Sequence, residues 1–177
     1  MEALNGHLCS RMIGSTRMLR IAGFSEESIV DGPGIRLTVF TQGCPHQCKG
    51  CHNPQTWDFN GGELVDSSVI FDRLQENKLL RGVTFSGGEP LMQAEAIAPV
   101  AEEIRKRGYD VWLYTGFLYE QVKTMPVMRY IDILVDGKFD ISKKSMELRY
   151  RGSRNQRIID VQASLSEKQI VLNVEFY

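Results

Sequence analysis

Three cysteines, Cys44, Cys48 and Cys51, are spaced Cx3Cx2C within Cys44-Pro45-His46-Gln47-Cys48-Lys49-Gly50-Cys51-His52-Asn53. Thiolate sulfur is a soft ligand, and cysteines this close together select iron–sulfur clusters, zinc or copper(I). Their number matters as much as their spacing. Three cysteines on a four-iron cube leave one iron without a protein ligand, open to a small molecule. His46 and His52 flank the cysteines, so a closed zinc knot of three cysteines and one histidine competes on these residues alone. The fourth cysteine, Cys9, has no local partners and reads as a bystander thiol or as a fourth ligand that would close the open iron. Four cysteines with three of them clustered do not make a disulfide framework; metal ligation in a reducing compartment fits them better.

Other residues with chemical potential lie further along. In Ser86-Gly87-Gly88-Glu89-Pro90 the glycine pair lets backbone approach a ligand with no side chain in the way, and Glu89 offers a carboxylate to an ammonium group. A plain strand-to-helix turn is the alternative reading of the same run. Thr115-Gly116 closes another β-prone stretch. Asp136 and Lys138 fall on one side of a continuing strand, set to meet a ligand's carboxylate and hydroxyls or to pair with each other as an ordinary ion pair. A basic stretch of Lys138, Lys143, Lys144, Arg149, Arg151, Arg154 and Arg157 is opposed only by Asp140 and Glu147, and reads as a solvated loop or as a partner surface.

The elements that must position these groups follow from periodicity. Leu19 to Phe24 reads as a short strand, and Asp31-Gly32-Pro33-Gly34 as a turn. Ile35, Leu37 and Val39 alternate with Arg36, Thr38 and Phe40, the pattern of a half-buried strand that empties into the cysteine loop. Residues 53–62 read as loop. A helix capped by Asp66 or Ser67 carries Val69, Ile70, Phe71 and Leu74. Val83 to Phe85 is β-prone, and a helix from about Gln93 to Arg107 stops at Gly108, with Pro99 predicting a kink or a late start. Val111 to Thr115 and Ile131 to Val135 read as strands around a short helix at Tyr119 to Met125. Three consecutive strand–helix–strand units predict a parallel sheet with right-handed crossovers. Arg157 to Val161 and Ile170 to Phe176 read as strands joined by a short turn, giving a β-rich tail. Each candidate motif thus follows a strand, and in parallel sheets ligands collect at the carboxyl ends of strands.

At 177 residues the chain supports one full core, read as a loosely ordered leader over 1–18 and a single domain over 19–177. Its 42% hydrophobic content and net charge of -1 fit a soluble globular protein and argue against bulk attraction to nucleic acid or membrane. No apolar run reaches membrane-spanning length, and the leader lacks the apolar core of a signal peptide.

Cys44-x3-Cys48-x2-Cys51 together with Ser86-Gly87-Gly88-Glu89-Pro90 resembles the radical S-adenosylmethionine superfamily over roughly Arg20 to Val161. Asp31-Gly32-Pro33-Gly34-Ile35-Arg36 and Cys51-His52-Asn53-Pro54 resemble the activating enzymes of glycyl-radical proteins. The short chain and the run from Arg151 to Val161 are similar to the activators of anaerobic ribonucleoside-triphosphate reductase. The resemblance implies a partial, open (β/α) barrel of the radical S-adenosylmethionine type. It implies a 4Fe-4S cluster on Cys44, Cys48 and Cys51 whose fourth iron is chelated by S-adenosylmethionine. Gly87, Gly88 and Glu89 would receive the amino group, and Thr115, Asp136 and Lys138 the ribose and carboxylate. Gly50 stands where many members carry an aromatic residue, so adenine packing falls to another group such as His52. The implied reaction is reductive cleavage of S-adenosylmethionine and formation of a glycyl radical. The implied partners are the large subunit of anaerobic ribonucleotide reductase, docked on Arg151, Arg154 and Arg157, and a one-electron donor such as flavodoxin or ferredoxin, in the cytoplasm. Activation of another glycyl-radical enzyme, of the pyruvate formate-lyase type, and a non-catalytic metal-binding module are the alternatives.

Overall fold

The computed structural model describes residues 18–177. The expected leader, apart from Met18, and Cys9 lie outside the described residues. The chain forms one eight-stranded sheet in the order β3-β1-β2-β4-β5-β6-β7-β8. Its centre is β2 (Ile35–Thr41), β4 (Leu80–Gly87), β5 (Asp110–Tyr114) and β6 (Ile133–Asp136), all parallel neighbours. The crossovers carry α1 (Ser68–Glu76), α2 (Ala94–Lys106) and the short α3 (Tyr119–Val122). Antiparallel strands extend both sides: β1 (Met18–Ser28) on β2, and β3 (Glu63–Asp66) on β1; then β7 (Arg157–Asp160) on β6, and β8 (Val171–Leu172) on β7. The expected open (β/α) barrel is present as this unclosed sheet.

Alternate residues of the central strands build the main core. Leu37, Val39, Val83, Phe85, Val111, Leu113 and Leu134 pack with Ile70, Phe71 and Leu74 of α1 and Ile97, Val100, Ala101 and Ile104 of α2. These helix positions recur at the three- and four-residue steps that put side chains on one face. Gly108, at φ +87°, stops α2 where expected, but the helix starts at Ala94 and continues past Pro99, so the late start is not seen. The entry to α1 divides the capping role between the two candidates. Ser67 occupies the cap position, while the Asp66 carboxylate accepts from Ser68 N–H at 2.8 Å.

Two expectations need correction. β2 is buried on both faces rather than one: Arg36 and Thr38 are each 0% exposed. Arg36 avoids the penalty of a lone buried charge by pairing and bonding throughout. It meets Asp110 at 2.5 Å, donates from Nε to Thr84 Oγ1 at 2.7 Å and from Nη2 to the Val83 carbonyl at 3.0 Å, and lies over the Trp112 ring. Burial lowers the guanidinium's pKa from its ordinary value, and Asp110 opposes this. In the tail, β7 and β8 are not joined by a short turn: α4 (Val161–Glu167) lies between them. Asp160 caps α4 by accepting from Ala163 N–H at 2.9 Å. Its end is marked by Lys168 in the left-handed region, a position with no glycine to announce it in the sequence.

Candidate active site

The cysteine loop is held by backbone ties to its neighbours. Beyond β2, Gly43 N–H donates to the Thr56 carbonyl at 2.8 Å and Cys44 N–H to the Trp57 carbonyl at 3.1 Å. The next strand end is tied to the same segment: Gly88 N–H donates to Thr41 O and Glu89 N–H to Gly43 O, each at 2.8 Å. So close is this approach that a Cβ on Gly88 would lie 2.6 Å from the Gly43 oxygen. Gln93 adds a strut, accepting from Arg20 N–H at 2.8 Å and donating to the carbonyls of Arg20 and Gln42.

These ties shape a cleft of about 200 Å³. Cys44, Cys48 and Cys51 line it together with His46, His52, Trp57, Gly87, Gly88, Thr115, Gly116, Phe139 and Gln156, and with Asp31 and Tyr114. Burial pushes the Cys44 thiol up, with the Glu89 charge adding to it and the backbone N–H groups of His46 and Gln47 opposing. Burial also pushes Cys48 up, while the Phe139 N–H and the charge of Lys138 draw it down. Ligation by these thiols therefore displaces protons, as metal binding to cysteine does generally.

Glu89 is the hub of the site. It is 0% exposed and does not line the cleft. Its Oε1 accepts from Leu91 N–H at 3.0 Å and Thr115 Oγ1 at 2.9 Å; its Oε2 accepts from Gly116 N–H at 2.8 Å and faces His46 Nε2 at 2.8 Å. One carboxylate thus joins the cysteine loop, the β4 end and the β5 end. The Thr115 hydroxyl is committed too, since it also accepts from Phe117 N–H at 3.1 Å.

The remaining expected residues divide. His52 lines the cleft beside Phe139, ring centroids 5.0 Å apart. Gly50 does not line it; it turns against Ile141. Asp136 does not pair with Lys138. It is 0% exposed, accepts from Tyr119 N–H at 2.7 Å and binds the Arg157 guanidinium through both oxygens, at 2.9 and 2.5 Å. Arg157 also pairs with Glu120 at 2.8 Å, which holds the Glu120 carboxyl down at about 2. Arg157 is therefore a structural cation rather than a free docking group. Arg151 is also engaged, donating to the Gln156 carbonyl at 3.0 Å and lying over the Tyr177 ring. Arg154 is exposed, and among the described residues its side chain reaches only Glu147 and Ser145, at 3.5 and 3.4 Å. Lys138 is exposed and outside the cleft lining.

Sequence reasoning missed Asp31, Trp57, Tyr114, Phe139 and Gln156. The strand-end rule carried a signal for Phe139, which directly follows Asp136-Gly137-Lys138. Gln156 carried none: its Nε2 donates to Gly137 O at 3.0 Å while its Oε1 accepts from Gly152 N–H at 2.8 Å, a long-range clamp.

The donor set fits an iron–sulfur cluster. Cys44, Cys48 and Cys51 line one cleft, and His46 is committed to Glu89. Residues 30–159 match a family model described as a 4Fe-4S single cluster domain. Three relatives carry the name anaerobic ribonucleoside-triphosphate reductase-activating protein. That of Escherichia coli K12 is 38% identical over 138 residues, 72% of this chain and 90% of the relative. That of Haemophilus influenzae is 35% identical over 140 residues, 73% and 90%. That of Enterobacteria phage T4 is 33% identical over 135 residues, 73% and 86%. The crystal structure of QueE from Escherichia coli is a partial likeness, with a TM-score of 0.44 and 18% identity over 56% of this chain and 52% of that one. The chain belongs to the family of the anaerobic ribonucleoside-triphosphate reductase-activating proteins, built on a 4Fe-4S single cluster domain.

Proposed function

We propose that this chain activates anaerobic ribonucleoside-triphosphate reductase by reductive cleavage of S-adenosylmethionine, leaving a glycyl radical on the reductase. The observation that carries the reading is the meeting of Cys44, Cys48 and Cys51 with Gly87 and Gly88 on one cleft at the ends of parallel strands. Cys44, Cys48 and Cys51 would hold a 4Fe-4S cluster. That group would supply one electron, taken from an external reductant, for cleavage of the sulfonium carbon–sulfur bond to methionine and a carbon radical able to take a hydrogen atom from a glycine of the partner.

The protein's own part is orientation and exclusion. Gly87 and Gly88 present bare backbone to the amino group of S-adenosylmethionine, and Glu89 holds that backbone in place through the bonds described above. His52 and Phe139, with ring planes tilted by 47°, give a partly apolar wall next to Cys48 for the adenine. Trp57, Tyr114 and Phe139 narrow the cleft against water, which would quench a reactive carbon radical. No side-chain acid or base is needed, in keeping with His46 being tied to Glu89.

Of Arg151, Arg154 and Arg157, Arg154 is the exposed one with only long contacts among the described residues, and it serves as the docking cation; a small one-electron protein such as flavodoxin or ferredoxin is the donor. No helix among the described residues is long and apolar enough to cross a membrane, and a reduced cytoplasmic setting suits the thiols. The test is anaerobic reconstitution followed by incubation with a reductant, S-adenosylmethionine and the reductase. A glycyl-radical doublet in the electron paramagnetic resonance spectrum is expected only when all components are present. Cys48→Ala should abolish cleavage of S-adenosylmethionine while the chain stays folded; cleavage at the native rate would refute the ligand assignment.

A further inference from the structure

A buried polar atom of a cleft-lining residue is used by none of the steps above. The indole Nε1 of Trp57 is buried and has no hydrogen-bond partner among the described residues. Tryptophan N–H groups removed from water ordinarily find an acceptor, and leaving one unmade costs as much as a lost hydrogen bond. Trp57 is not loosely held. It follows a one-turn 3-10 helix (Pro54–Thr56), its N–H donates to Pro54 O at 3.3 Å, and its carbonyl accepts from Cys44 N–H at 3.1 Å. The residue that carries the orphan donor is thus bonded through its backbone to the first of the three cysteines, and it lines the cleft they share.

We infer that Trp57 Nε1–H donates to a sulfur atom at the Cys44 side of the cluster and so sets the cluster's reduction potential. The inference rests on the cluster assignment made above. Sulfur in a cluster carries negative charge that grows on reduction. A donor aimed at it favours the reduced form, and hydrogen bonds to sulfur are among the protein's levers on cluster potential. Trp57 is in these terms a positioning and tuning residue.

The full-length chain is reconstituted anaerobically with iron and sulfide, and iron uptake is measured first. The wild-type protein and Trp57→Phe, which keeps an aromatic ring and deletes the donor, are then titrated with reductant against the signal of the reduced cluster. The variant's reduction equilibrium constant is expected to fall about tenfold, ~59 mV for a one-electron couple. In parallel, wild-type protein with isotopically labelled indole nitrogens is examined by pulsed electron paramagnetic resonance. A nitrogen coupling to the reduced cluster should be present, persist in Trp112→Phe and vanish in Trp57→Phe. Equal potentials in variant and wild type overturn the inference. So does the absence of coupling in the wild type, a measurement that stands even if Trp57→Phe fails to load. Coupling that emerges only after S-adenosylmethionine is added also overturns it, and assigns the donor to that molecule. Failure of the wild type to take up about four irons is a separate result, which removes the cluster reading and this inference with it.

Discussion

Replacing Glu89 by glutamine exchanges one oxygen of a carboxylate that is 0% exposed for an amide nitrogen. Each oxygen accepts from one backbone N–H and faces one side chain that can adapt. If the nitrogen takes the Oε1 position it confronts Leu91 N–H; at Oε2 it confronts Gly116 N–H. The Thr115 hydroxyl can rotate and His46 can change tautomer, but neither backbone donor can become an acceptor. At least one charge-assisted bond is therefore replaced by a facing pair of donors. A hydrogen bond to a charged group contributes about 1.5–3 kcal/mol, and a stranded buried donor costs about 1–3 kcal/mol. The expected loss is about 3 kcal/mol. With a urea slope of about 2 kcal/mol per M, the unfolding midpoint of the cluster-free protein should drop by roughly 1.5 M. Because the same carboxylate joins three segments of the cleft, cleavage of S-adenosylmethionine by the loaded variant should fall as well. A midpoint within about 0.3 M of the native value, with native cleavage, would refute the claim that this group ties the site together.

Asp136→Ala strips the fully buried partner from Arg157 and should destabilise by about 3–5 kcal/mol in thermal melts, whereas Glu120→Gln, on the outer half-exposed arm, should cost about 1 kcal/mol or less and depend on salt. Glu120 is held at about 2, below its ordinary 4.5, so its contribution is present above 4.5 and lost as pH falls toward 2; the melting difference between native protein and Glu120→Gln should vanish over that window. Gly87→Ala places a Cβ 2.7 Å from Phe40 Cα and 2.8 Å from Thr41 N, at φ +92°, where only backbone can yield; a loss above about 1 kcal/mol and weaker binding of S-adenosylmethionine by calorimetry are expected. Arg36→Lys keeps the charge but loses the fork that reaches Thr84, Val83 and Asp110 together, and should lower the urea midpoint by roughly 1 M.

The parallel centre of the sheet was legible because its strands are apolar, short and bounded by glycine, and because α1 and α2 keep helical spacing. The sites at the strand ends followed from that placement. β3 was not legible. It is a four-residue edge strand with no buried residue, so it carries no alternation to read. α4 was hidden because Val161 continues the apolar run of β7, and only the Asp160 cap separates them. Burial of Arg36 is invisible to a rule that places arginine outside, since its compensation comes from Thr84 and Asp110 on other strands. Glu89 illustrates the same limit. A carboxylate next to two glycines reads as a ligand until the donors from distant segments are seen around it. Asp136 reads as a partner for nearby Lys138, yet Arg157 reaches it from 21 positions away.

Among the described residues, the first and last strands of the sheet, β3 and β8, do not pair with each other. A wall of strands sealed all round would admit to its interior only what could slip past the rim. The hydrogen donor in the proposed reaction is not free to slip anywhere, since a glycine residue arrives strung on a chain with neighbours fore and aft. An unsealed wall leaves such a tethered substrate a lateral way in.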